Sequence, residues 1–475
     1  MIELTNVSYT YPHTVQPALH RITISLEKGR CIMVTGPSGA GKTSLCLAAS
    51  GVLHHEYGGK KDGSVIIDGR NVTEYRSLSD LAQNVGVVFD DPEAQMIFTT
   101  VEEEILSALE HRGLSAAVIE ERLAGIMKIT YLEELKDRSP HNLSGGQKQR
   151  VALAATLALG NDILILDEPT SELDEHATKR IAGILKTLKD KGKTILLIEH
   201  KFNHFRDMVD ALVIMEGGEI TAQGTPVEIL KDDRIRGMIL PDFSTVKRKI
   251  RADRTSEPLI SVRDLTHYYG NVLALSGVSL DIRKGEFIAI VGENGSGKTT
   301  LVKHFNRLLS PTSGDVIVNG KNTKDCSIAA LARDVGLVFQ NPDHMFFADT
   351  VRDEIAYGVK NLGIENCEAV IDAALCDAGL LESAGLYPRW LSRGERQRLG
   401  IACVVAMQPS VIVLDEPTTG LDGYEALLVI DILKKLQEKG HTVIIITHNH
   451  DIAEHCADRI ITMEKGTIIS DTGSG

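Results

Sequence analysis

The sequence holds no apolar run that approaches the roughly eighteen residues needed to span a bilayer. Its first residues, MIELTNVSYTYP, lack the charged-then-apolar pattern of a secretory leader. Both absences place any membrane role on the cytoplasmic face, as a peripheral protein. Positive charge is also short: 51 Lys and Arg stand against 65 Asp and Glu, giving a formal net charge of -14 and a pI near 5.6. Nucleic acid is bound through basic faces that displace counterions, so this balance argues against a nucleic-acid partner. The seven cysteines (Cys31, Cys46, Cys326, Cys367, Cys376, Cys403, Cys456) are odd in number and show no paired, metal-like spacing. They read as reduced, mostly buried thiols of the cytosol.

What the sequence does contain, it contains twice. At 475 residues the chain is too long for one ordinary core and suits two domains. GPSGAGKT (Gly36 to Thr43) and GENGSGKT (Gly292 to Thr299) both fit G-x-x-x-x-G-K-[ST], each between an apolar run and a helix-like run. IELTNVSYTYP (Ile2 to Pro12) matches ISVRDLTHYYG (Ile260 to Gly270), and VGVVFD matches VGLVFQ. The runs ILIL, VIVL, TILLI and TVIIII look like strands buried on both faces of a parallel sheet. Residues 1–232 and 258–475 are therefore two α/β copies joined by a linker at 233–257. Its KRKIR run, Lys247 to Arg251, reads as solvated linker in preference to a membrane patch. The charged, helical-looking intervals Glu102 to Asn142 and Arg352 to Trp390 suggest a small helical subdomain inserted in each copy.

The spacing of the glycine-rich octamers has a chemical reason. Glycines let successive backbone N–H groups curl round a phosphate at the positive end of the following helix. In the first copy the cradle is Gly36, Pro37, Ser38, Gly39, Ala40 and Gly41, with Ser44 on the helix behind it. In the second it is Gly292, Glu293, Asn294, Gly295, Ser296 and Gly297, with Thr300 behind it. Lys42 and Lys298 would reach the outer phosphates, and Thr43 and Thr299 would hold Mg²⁺. LDEPT follows a buried strand in each copy, at Leu166 to Thr170 and Leu414 to Thr418. Two adjacent acids there need a positive neighbour: Asp167 and Asp415 suit Mg²⁺, and Glu168 and Glu416 suit polarisation of an attacking water. His200 and His448, each one strand later, recur at matched places and favour a γ-phosphate contact. LSGGQKQR, Leu143 to Arg150, offers a hydroxyl, N–H groups and a helix dipole to a second anion.

Phosphate loop, LSGGQ, LDEPT, SELD or TGLD (Ser171 to Asp174, Thr419 to Asp422) and terminal histidine together resemble two fused ATP-binding domains of the ABC transporter superfamily. The resemblance implies an α/β fold of two P-loop NTPase domains, each with a mostly parallel sheet core, an antiparallel β part and an inserted helical subdomain. It implies ATP and Mg²⁺ as cofactors. The two halves would pair head to tail, each ATP held between one half's phosphate loop and the signature of the other, Ser144 with Gly146 or Ser392 with Gly394. An aromatic would stack on adenine; Tyr11 and Tyr269 match that place, with Tyr9 and Tyr268 near enough to compete. Gln340 matches the family's glutamine that contacts Mg²⁺.

The halves are not equal. The first has Asp90 where the second has Gln340, and the second signature is LSRGE (Leu391 to Glu395). In a head-to-tail pair these departures coincide: Lys42, Asp90, Glu168 and His200 would face LSRGE, while Lys298, Gln340, Glu416 and His448 would face LSGGQ. The second site is expected to be the faster hydrolyser. DDPEAQMIFTTVEEEI and QNPDHMFFADTVRDEI resemble the ATPases of energy-coupling-factor importers, which take up vitamins or transition-metal ions. Such ATPases lie beneath an integral-membrane coupling protein and a substrate-binding membrane protein, for which Met96, Ile97, Phe98, Met345, Phe346 and Phe347 are candidate contacts. A sugar-type importer has fused ATPases of similar length. A ribosome-acting tandem ATPase would carry a longer, charged, helical linker, and a DNA repair ATPase a long coiled coil.

Overall fold

The computed structural model describes residues 1–110, 114–171, 173–246 and 257–473. The chain divides into two compact units, Met1–Pro241 and Asp242–Gly475. In the first, a six-stranded sheet runs Glu219–Gly224, Ala211–Glu216, Cys31–Thr35, Thr194–Ile198, Ile163–Asp167, Val85–Val88. All neighbours pair in parallel except the first two. The second repeats the order with Thr467–Asp471, Arg459–Glu464, Phe287–Val291, Thr442–Ile446, Val411–Asp415 and Val335–Val338.

Side chains alternate across a strand, so a parallel sheet covered on both sides needs apolar residues at every position. Ile32, Val34, Leu196 and Ile198 pack on one face, with a four-stranded antiparallel sheet that includes Ile2–Thr10 and Leu19–Leu26. Cys31, Met33, Ile195 and Leu197 pack on the other, against helices. Cys46 and Cys456 are buried as well, whereas Cys376 is exposed. The second unit has the same two cores. Each unit also carries a separate helical core. In the first it joins Val101, Ile105, Leu109, Met127, Leu132 and Val151; in the second, Val351, Ile355, Val359, Ile371, Leu375 and Leu399.

The expected linker is partly structured. Asp232 caps a helix, Asp233–Ile239, and Ile235 and Ile239 pack into the first unit. Phe243 is buried in the second unit. Isoleucines four apart fall on one helix face, which gives this charged stretch an apolar stripe. The KRKIR run, Lys247 to Arg251, lies outside the described residues, as does Glu172 of SELD.

Candidate functional site

Both phosphate loops leave the C-terminal end of a central strand, where open α/β sheets bind ligands. Gly36 (φ +151°) and Gly292 (φ +148°) have no room for a side chain: a Cβ would lie 2.0 Å from the Met215 carbonyl oxygen and 2.3 Å from that of Met463. Gly41 and Gly297 begin the helices Lys42–Ala49 and Lys298–Lys303 in left-handed conformations. The Lys42 ammonium donates to the carbonyls of Gly36 and Pro37, both at 2.8 Å. Lys298 does the same to Gly292 and Glu293, also at 2.8 Å. Each loop thus holds its lysine over the cradle, ready for a phosphate to displace the carbonyls.

The tyrosines are sorted by their contacts, since Tyr9 and Tyr11, two residues apart with rings 4.7 Å from each other, share a side. Tyr9 is buried in the core with its hydroxyl donating to the Gly58 carbonyl, which removes it from the adenine choice. Tyr11 meets Ser44 at 3.2 Å and Tyr269 meets Thr300 at 3.5 Å, so both face the helix behind the phosphate loop. Tyr268, one position earlier, belongs to the opposite side of its strand.

Asp167 is buried, and neither carboxylate oxygen has a hydrogen-bond partner among the described residues. Burial, reinforced by Glu168 and Asp90, raises its pKa to about 7, against the pull of the Thr43 hydroxyl and Lys42. Asp415 is likewise raised, chiefly by burial, and accepts the Thr299 hydroxyl at 2.7 Å. Buried oxygens beside a threonine hydroxyl fit a hard divalent cation. Among the described residues no cluster of three or more His, Cys, Asp or Glu could hold one. That fits Mg²⁺, which typically takes one or two carboxylates and completes its shell with substrate phosphates. Asp90 and Gln340 are both exposed, and Asp90 is near enough to act on Asp167.

Glu168 and Glu416 adopt positive φ, +45° and +52°. Non-glycine residues rarely do so, and such conformations gather at active sites. Glu168 N–H donates to the Ile198 carbonyl (2.9 Å) and Glu416 N–H to Ile446 (3.0 Å), so each glutamate is fixed against the strand that leads to the histidine. His200 meets Glu168 through Nε2 at 3.1 Å, while His448 meets Glu416 through Nδ1 at 2.9 Å. Phosphate loop, acid pair, histidine and tyrosine of each half therefore converge within one unit.

The signature serines begin helices of the helical part, Gly145–Ala158 and Arg393–Val405. Ser144 N–H donates to the Gln147 side chain at 2.9 Å, and Ser392 N–H to Glu395 at 2.8 Å, so the substitution keeps the cap but makes it anionic. Gly146 and Gly394 also have a packing role. A Cβ on Gly146 would lie 2.8 Å from that of Ala177, and one on Gly394 2.5 Å from the Glu425 carboxylate. Gly420 lies under the Arg393 guanidinium, which fills the space a side chain would take. Arg150 and Arg398, not singled out by the sequence motifs, donate to the carbonyls of Thr130 (2.9 Å) and Ala378 (2.6 Å), tying each signature helix to the helix before it.

A model of the family described as "ABC transporter" matches residues 19–171 and 275–419. The chain belongs to this family. A protein of Methanosarcina acetivorans named as an ABC transporter ATP-binding protein is 48% identical, covering 100% of this chain and 90% of its own. One of Caldanaerobacter subterraneus subsp. tengcongensis is 38% identical over 95% of this chain and 87% of its own. Among solved structures, cbiO1 from Clostridium perfringens, part of the ABC transporter complex cbiONQ, is 33% identical. It covers 46% of this chain and 88% of its own, with a TM-score of 0.43. The protein is an ABC ATPase with two P-loop domains, using ATP and Mg²⁺, and its hydrolysis is coupled to transport. No helix among the described residues is long and apolar enough to cross a membrane.

The raised Asp167 pKa gives a first prediction. Below a pKa of about 7 the metal-free carboxylate is protonated, and Mg²⁺, if Asp167 is its ligand, must displace that proton to bind. Affinity of the first loop for Mg·ATP should fall as pH drops below that point, by up to about tenfold per unit. Calorimetric titration of a Lys298→Ala variant, which blinds the second loop, reads it. Equal affinity on both sides of neutrality contradicts the assignment.

Proposed function

We propose that this ABC ATPase energises an importer of the energy-coupling-factor type, for a vitamin or a transition-metal ion, from the cytoplasmic face of the membrane. The supporting observation is a matched pair of apolar turns beside Asp90 and Gln340. Ile97 is 81% exposed, Phe98 37% and Phe347 65%. They are held out by a buried acid: Glu104 accepts the N–H groups of Ile97 and Phe98 (2.9 and 2.8 Å), and Glu354 accepts those of Phe347 and Ala348 (2.5 and 2.6 Å). Of the other expected contacts, Met96 and Phe346 belong to the helical cores and Met345 is half-buried. An exposed apolar turn tied at its backbone is suited to receive an apolar segment of an integral-membrane partner.

In this reading Tyr11 and Tyr269 stack on adenine, and each ATP is clamped between the loop of one half and the signature serine, Ser144 or Ser392, of the other. Mg²⁺ supplies charge neutralisation at the phosphates. Glu416 accepts the proton of the attacking water, His448 leaves Glu416 for the γ-phosphate, and the helical subdomains carry the closing motion to the membrane proteins. Domain boundaries at 1–232 and 258–475 serve this account, and the site with Gln340 and LSGGQ turns over faster than the one with Asp90 and LSRGE.

Purification of the full chain from membranes, with identification of its bound integral proteins, tests the reading. A coupling protein and a small substrate-binding membrane protein are expected. Phe98→Glu with Phe347→Glu should abolish their recovery while leaving ATP binding intact. Recovery of a sugar-type permease, or of ribosomes without membrane protein, overturns it.

A further inference from the structure

Matched end to end, the two histidine segments differ on both sides of the histidine: Glu199-His200-Lys201 against Thr447-His448-Asn449. Glu199 is 1% exposed. One carboxylate oxygen accepts the Thr170 hydroxyl; the other accepts the N–H of His200 at 2.8 Å and of Lys201 at 3.2 Å. The Lys201 ammonium reaches the same segment from its own side, donating to the carbonyls of Thr170 (2.6 Å) and Leu173 (2.9 Å) and to the Thr178 hydroxyl (3.4 Å). The backbone at His200 is thus stapled twice to the stretch that follows Glu168. In the second unit Thr447 accepts the Asn449 N–H at 3.0 Å, and Asn449 accepts that of Ile452 at 3.2 Å. Neither side chain hydrogen-bonds the stretch after Glu416 among the described residues.

We infer that Glu199 and Lys201 are positioning residues that brake the first site: they fix the backbone at His200 while its Nε2 stays on the Glu168 carboxylate. This rests on the reading of Glu168 and His200 as a hydrolytic pair. Both units hold their histidine on the glutamate, and in the first the fixed backbone keeps it there, back from the phosphate. Moving the loop would break the Thr170 hydrogen bond of a buried carboxylate and disturb its two N–H donors, which is costly. Among the described residues neither Thr447 nor Asn449 opposes such movement at His448. The brake therefore lies in the backbone on either side of the histidine, and the residues that bind nucleotide stay as they are.

The test uses the full chain with its membrane partners in a Glu416→Gln background, so that remaining turnover reports the first site. Glu199→Thr with Lys201→Asn installs the second unit's residues. It should raise kcat about threefold to tenfold, the release of roughly one net hydrogen bond of restraint, with KM for ATP unchanged. Amide hydrogen exchange at His200 and Lys201 should quicken in parallel. Glu199→Gln, which keeps a carbonyl for both N–H groups, should stay near the parent, and Lys201→Asn alone should give a smaller rise if the double variant does not fold. A fall or no change in kcat in the double variant, when it melts and binds ATP like its parent, overturns the brake. If neither Glu168→Gln nor His200→Ala affects the turnover of this background, the underlying hydrolytic reading fails instead.

Discussion

Glu416→Gln in the complex recovered from membranes should lower steady-state ATP hydrolysis about 100-fold or more, whereas Glu168→Gln should change it by less than about twofold. A positioned carboxylate that accepts the proton of the attacking water contributes 10²- to 10⁴-fold, so its loss at the dominant site is read directly in the rate. Three differences between the halves are the reason the proposed dominance goes to the second phosphate loop. Asp90 brings a third negative charge to the acid pair Asp167 and Glu168, where the second loop has neutral Gln340. The signature expected to face the first loop carries the Glu395 carboxylate on its cap, where the other carries the Gln147 amide. In the proposed head-to-tail pair, a developing negative charge on the γ-phosphate would meet Asp90 at the first site and a neutral Gln340 at the second, while Arg393 would offset part of the Glu395 charge. The third is the staple at His200. Equal losses in the two variants refute the inequality of the sites, and a larger loss in Glu168→Gln reverses it.

How much of this could be read from the sequence follows from what fixes each residue. The loops are fixed by backbone needs, and LDEPT and the histidines follow them at matched intervals, so all are visible as spacing and recur in both halves. The strands are visible because both faces are covered, which leaves an unbroken apolar run. The adenine tyrosine is open in the sequence because Tyr9 and Tyr11, two residues apart, share a side, and only the burial of Tyr9 against Gly58 tells them apart. The helix Asp233–Ile239 was hidden by its charge, although Asp232 and the pair Ile235 and Ile239 carry the signal of a capped amphipathic turn. Positive φ at Glu168 and Glu416 has no sequence signature at all, because the glutamates are kept for chemistry where glycine would suit the backbone. Glu199 was readable only by comparing the halves, since a single acid beside a histidine is unremarkable until its partner proves to be Thr447. The pattern is that recurrence reveals what both sites need, and difference between the copies reveals what sets them apart.

Gly36→Ala should unfold the first phosphate loop and abolish the ATP-dependent rise in melting temperature of a Lys298→Ala background, while Gly39→Ala should leave most of that rise. The two glycines look equivalent in GPSGAGKT, and both have positive φ, +151° and +79°. Their surroundings differ. A methyl on Gly36 would sit 2.0 Å from the Met215 carbonyl oxygen, part of the strand Ala211–Glu216 that pairs in parallel with Cys31–Thr35. A backbone neighbour in a ladder has no rotamer by which to give way, so either the loop or the sheet must shift. Such overpacking costs about 3 kcal/mol or more when the obstacle cannot relax. Gly39 has nothing within 4 Å of its would-be Cβ. Its substitution bears only the penalty of left-handed backbone, about 1 kcal/mol. Gly292→Ala should repeat the severe outcome in the second unit, where Met463 presents its carbonyl at 2.3 Å. Chemical denaturation of each variant gives the ranking, and nucleotide-dependent melting gives the consequence for binding. If Gly36→Ala proves as stable as Gly39→Ala and still gains stability from Mg·ATP, the close approach of this loop to its neighbouring strand does not govern the phosphate cradle.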